Sequence, residues 1–89
     1  MPLLKKNEIH YSRNVHWQFS KSIYAVCDKQ KIDFDVLTVQ EKQKWLSDNV
    51  VMVIDDVIAR MGSDWEGLRK YRIFFVEKDG EAILYFSRK

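Results

Sequence analysis

Two apolar runs meet at an Asp79-Gly80 dipeptide near the end of the chain, and they limit its fold more than any other segment. The first is Tyr71-Arg72-Ile73-Phe74-Phe75-Val76 and the second is Ala82-Ile83-Leu84-Tyr85-Phe86. Asp-Gly between β-branched and aromatic residues is the signature of a two-residue hairpin turn, because both turn residues must adopt positive φ. Alternation puts Tyr71, Ile73 and Phe75 on one face, with Phe74 and Val76 behind Arg72 on the other; in the second strand Ala82, Leu84 and Phe86 oppose Ile83 and Tyr85. Both faces are therefore apolar, whereas an antiparallel sheet with helices on one side normally turns polar residues outward. Either a helix covers each face in a three-layer domain, or one face meets another protein or a second copy of this chain.

The remaining 70 or so residues, a number set by a total length of 89, supply the helices. Val15, Phe19, Ile23, Val26 and Cys27 recur at helical spacing and predict an amphipathic helix from Asn14, its expected N-cap, to about Lys31. Ile32, Phe34 and Val36 then alternate with Asp33 and Asp35, the period of a short strand or an extended connector. Thr38 followed by Glu41 forms a capping-box pattern, and the stripe Leu46, Val50, Val53, Ile54, Val57, Ile58, Met61 predicts a long helix that stops at Gly62. Ser47-Asp48-Asn49 is also turn chemistry, and the β-branched run 50–54 would suit a strand, which would split that helix. Ser63 and Glu66 repeat the capping pattern and predict a single turn through Trp65 and Leu68. The expected architecture is α+β: two main helices packed on a small antiparallel sheet containing the C-terminal β-hairpin, in a single domain over residues 1–89.

Composition narrows the function. With 46% hydrophobic and 31% charged residues, three glycines and one proline, the chain is expected to be ordered throughout. No apolar run has the length of a signal peptide's core or a membrane span, and a single cysteine excludes an internal disulfide, so a cytoplasmic protein with no membrane partner is expected. The economy of the chain suits a bacterial or phage protein. Its net charge of +2 is unevenly laid out, with +4 over residues 1–31, −5 over 32–66 and +3 over 67–89. A cationic patch from the two ends would attract an acidic partner or nucleic acid, although the total is small for a dedicated nucleic-acid binder.

Familiar catalytic machinery is not visible. His10 and His16 are six residues apart, a spacing that puts no pair on one helical face, and one Cys with two His does not assemble a zinc site. Cys27 falls on an apolar stripe, where a thiol behaves as a small hydrophobe. Asp55 and Asp56 are adjacent and diverge by about 100° around a helix, which argues against a carboxylate dyad. No phosphate loop or nucleophile elbow is present, so no catalytic residue, cofactor or metal is expected. The reading is a protein-binding module, an inhibitor, adaptor or regulator that pairs with itself or another protein. Its expected interface comprises Trp17 and Trp45 as anchors, Phe74, Val76 and Tyr85 as the second sheet face, and Asp55 and Asp56 as a charged rim. The alternative is a nucleic-acid-binding regulator using Arg69, Lys70, Arg72, Arg88 and Lys89.

Overall fold

The computed structural model describes residues 4–5, 8–9 and 13–88, with the backbone alone at 4–5, 8–9, 13 and 88. Two short strands, β1 (Leu4–Lys5) and β2 (Glu8–Ile9), pair antiparallel and precede helix α1 (Arg13–Gln30). A 3-10 turn (Phe34–Val36), helix α2 (Val39–Met61) and a 3-10 helix (Ser63–Lys70) follow. The chain closes with strands β3 (Tyr71–Lys78) and β4 (Glu81–Arg88), paired antiparallel around Asp79 and Gly80. Both turn residues have positive φ, 54° and 78°, as a two-residue hairpin requires. The fold is α+β, with helical segments packed on this hairpin. No described helix is long and apolar enough to cross a membrane.

Helix α2 runs unbroken over 23 residues, so segment 50–54 is helix and Ser47-Asp48-Asn49 does not turn. Both bonds of the capping box form: the Glu41 N–H donates to Thr38 Oγ1 at 3.1 Å, and the Thr38 N–H donates to Glu41 Oε1 at 2.8 Å. Gly62 ends the helix at φ 101°, a conformation that a side chain would strain, with its N–H on the Ile58 carbonyl at 2.8 Å. Helix α1 ends differently. Lys31 takes the left-handed position at φ 59°, its N–H reaches the Asp28 carbonyl, and the Ile32 N–H reaches the Cys27 carbonyl at 2.9 Å. This pair of bonds closes the carbonyls of the last turn without a glycine.

Three local expectations are corrected. Asn14 lies inside α1 rather than capping it, and its side-chain oxygen accepts from Gln18 Nε2 at 3.4 Å, one turn on. Segment 34–36 is a 3-10 turn, not a strand: Asp33 caps it by accepting from the Asp35 N–H at 3.1 Å, Phe34 is buried, and Val36 stands 74% exposed. Ser63 begins an eight-residue 3-10 helix without making a side-chain cap, and its buried face is Trp65 and Leu68, three residues apart as that helix demands.

The core is one cluster. Val15, Phe19 and Ile23 of α1 meet Leu46, Val53 and Val57 of α2, with Leu68, Ile73 and Leu84 closing the far side. A polar brace ties the helices together. Ser22, fully buried, donates its hydroxyl to Asp56 Oδ2 at 2.6 Å and accepts from Arg60 Nη2 at 2.7 Å, while Arg60 also holds the Gln18 carbonyl and side chain. Every member is satisfied, which is the condition under which a buried polar network fixes one arrangement.

One buried polar group stands outside that rule. The Tyr71 hydroxyl has no hydrogen-bond partner among the described residues, although the residue is only 5% exposed. Leaving such a group unsatisfied costs about 1 to 3 kcal/mol. Tyr71→Phe is therefore expected to raise the unfolding free energy by about 1 kcal/mol, read from the midpoint of urea denaturation; an equal loss would show that the hydroxyl is bonded.

Candidate functional site

Strand register assigns the two faces of the hairpin. Cross-strand partners share a face, so Ile73 with Phe86 and Phe75 with Leu84 lie inward, while Phe74 with Tyr85 and Val76 with Ile83 lie outward. Both long helices serve the inner face. The Phe19 ring of α1 stands edge-on to Phe86 with centroids 5.5 Å apart, Phe34 lies 5.8 Å from Phe75, and Gln43 of α2 accepts the Phe75 N–H at 2.6 Å. The three-layer arrangement, with a helix on each face, does not occur among the described residues.

Among the described residues no helix covers the outer face, which is apolar. Val76 and Tyr85 are 37% and 39% exposed, Phe74 and Ile83 are half-buried, and the Phe74 and Tyr85 rings pack edge to face at 6.2 Å. Arg72 and Ser87 bound the patch at its open end, and Lys78 and Glu81 bound it beside the turn. The alternation in sequence had placed Phe74, Val76 and Tyr85 together, and the register brings Ile83 beside them.

The other expected interface residues divide. Trp17 is 59% exposed on α1, with Lys21 Nζ 5.6 Å above its ring. Trp45 is not an exposed anchor. It is buried against Phe34, and its indole N–H donates to Gln30 Oε1 at 2.9 Å, because the 3-10 turn widens the apolar sector that α2 must meet. Asp55 is an exposed charge paired with Arg69 at 2.7 Å. Asp56 is instead a member of the brace between α1 and α2, which occupies it with Ser22 and Arg60.

Among the basic residues, Arg69 is held by both Asp55 and Glu66, the latter at 2.8 Å. Lys70 and Arg72 are exposed; the Arg88 side chain and Lys89 lie outside the described residues. His10 lies outside them too, and His16 is half-buried beside Ser20 and Lys42 at a small depression of about 150 Å³. Among the described residues no group of three His, Cys, Asp or Glu is placed to hold a metal ion.

Sequence reasoning passed over Tyr24. It is exposed on α1, and its hydroxyl donates to Asp35 Oδ1 at 2.5 Å. That bond, with burial adding, pushes the phenol up to about 12. Cys27 is 1% exposed, and burial, with Asp28 adding, pushes its thiol up to about 11. At neutral pH it is a protonated hydrophobe and no nucleophile.

A pH dependence follows. An unfolded chain releases the Cys27 proton near its ordinary value of 9, whereas the folded chain keeps it to about 11, so the folded state binds more protons in that window. Stability is complete below pH 9 and falls as pH rises, by about 2 kcal/mol at pH 11. Above pH 10 Tyr24 adds a loss of the same sign. Urea titrations from pH 8 to 11 are expected to show the fall, and Cys27→Ala to remove its part between 9 and 10.

No protein-family model, curated protein or solved structure matches this chain.

Proposed function

We propose that this chain is a small cytoplasmic protein-binding module, an inhibitor, adaptor or regulator that acts by occupying a protein surface, and that it pairs with a second copy through the outer face of its hairpin. The observation that carries this reading is the open apolar face of Phe74, Val76, Ile83 and Tyr85. Each such side chain stabilises an interface by about 1.5 to 3 kcal/mol on full burial, and each is already half-way there, held by strand pairing at no further ordering cost.

A second copy offers the same apolar face, as a two-fold interface requires. When two hairpins stack face to face with strands antiparallel, the open end of one meets the turn end of the other, where Arg72 faces both Lys78 and Glu81 of the partner, so apolar burial and not the rim charges holds the pair. Exposed Trp17 and the ion-paired Asp55 remain on the helices for a different protein. The commitment of Arg69 to two carboxylates weighs against the nucleic-acid alternative, since those phosphate contacts would first have to break two ion pairs. Mass in solution against concentration, for the wild type and for Val76→Lys with Tyr85→Lys, tests the reading.

A further inference from the structure

We infer that the free edge of β3 takes an extended peptide segment in which apolar residues alternate with acidic ones, adding it to the sheet as a third strand beside α2. The hairpin turn fixes the geometry. Lys78 and Glu81 flank a two-residue turn and form a hydrogen-bonded pair, so Val76, Phe74 and Arg72 direct their backbone groups at β4, and Tyr71, Ile73 and Phe75 direct theirs outward. The Tyr71 N–H is taken by the Leu68 carbonyl, and the Phe75 N–H by Gln43. Between them, the Ile73 N–H and carbonyl have no partner among the described residues.

That edge forms one wall of a groove of about 530 Å³, the right size for a short extended segment. The other wall is a single stripe of α2, where Ser47, Val50, Val51 and Ile54 recur at helical spacing. Val51 is 62% exposed and Met52 beside it 47%, whereas Val53, Ile54 and Val57 of the same helix are buried. An added strand would present alternate side chains to these valines and to the outer side of the sheet.

Charge names the occupant. The charged residues lining the groove are Arg69 and Arg72, and no acidic side chain lines it among the described residues. Arg69 is neutralised by Asp55 and Glu66, but Arg72 is exposed and has no ion-pair partner among the described residues. Arg72 projects to the outer side, so a carboxylate on the outer-facing residues of the incoming strand meets it while apolar residues face α2. A second copy of β3 does not meet this need, since its residues on the face of Arg72 are Phe74, Val76 and Lys78, and its one acid, Glu77, alternates to the other face.

The groove shares Phe74 with the outer-face patch and Arg72 with its rim, so Val51→Lys, which touches the groove alone, and Val76→Lys with Tyr85→Lys, which touches the patch alone, let the two readings fail separately. The test uses a fluorescein-labelled octapeptide of alternating valine and glutamate, with an alternating valine and lysine peptide as control, read by fluorescence polarisation and by exchange of the Ile73 amide. The glutamate peptide is expected to bind saturably below about 1 mM, at least about tenfold more tightly than the lysine peptide, and to slow Ile73 exchange. Arg72→Glu should reverse the preference. Val51→Lys, at an exposed position and with an unchanged melting curve, should weaken binding by about tenfold, while Val76→Lys with Tyr85→Lys should leave it intact. Equal affinity for the two peptides, or no binding at 1 mM, overturns the inference. So does an Ile73 amide already protected in a free dimer, which would assign the edge to a second copy.

Discussion

Replacing Phe19 by alanine should lower the unfolding free energy by about 3 to 5 kcal/mol, out of a total on the order of 5 to 10 for a domain of this size. Phe19 is completely buried and among the largest side chains to be so. Its ring meets Phe86 edge-on, which makes it the point where α1 seats on β4. Truncation would leave a cavity between two elements that cannot close on each other without moving the α1 to α2 brace of Ser22, Asp56 and Arg60. Trp17, two residues earlier and larger, gives the contrast: at 59% exposure, Trp17→Ala should move stability by no more than about 0.5 kcal/mol. Urea denaturation of the two variants measures both. Similar losses would mean that α1 is not seated as described.

Val76→Lys with Tyr85→Lys should weaken self-association by more than about a hundredfold. The wild-type patch loses apolar burial at two of its four positions, and a two-fold stack would bring four ammonium groups into one desolvated layer. Monomer stability should change by less than about 1 kcal/mol, because both positions are more than a third exposed already. That separation of association from folding is what distinguishes an interface from core. The same change at Ile73 or Leu84, on the inner face, should instead unfold the chain.

The elements that sequence made legible are those with several turns or both strands to average over. The stripe of α2 repeats across four turns with a cap at each end, so the turn chemistry at Ser47-Asp48-Asn49 was outweighed by continuous packing on either side. The hairpin was legible because Asp79-Gly80 fixes register, and register fixes faces. Residues 32–36 were misleading for the opposite reason. Five residues of alternation satisfy a strand, yet the same spacing also results from a 3-10 turn that buries Phe34 alone. Strands β1 and β2, with two residues each, are too short to carry any period.

The candidate site was legible only in part. Phe74, Val76 and Tyr85 follow from alternation, but whether a helix covered them depended on the side of the sheet that α1 took, which is set by Phe19 meeting Phe86 across 67 residues of sequence. Trp45 falls off the stripe in sequence because the apolar sector of α2 is widened by a 3-10 turn that the alternation at 32–36 does not reveal. Asp56 reads as a rim charge in the sequence because its partners, Ser22 and Arg60, are single residues on other turns and leave no pattern there.

The most direct test of the central claim is sedimentation velocity from about 1 µM to 1 mM at low and high salt. A patch of four apolar residues predicts reversible dimers with a dissociation constant on the order of 10 µM, little changed by salt, and absent in Val76→Lys with Tyr85→Lys. A wild-type chain that stays monomeric to 1 mM, or a dimer that the two lysines leave intact, would contradict it.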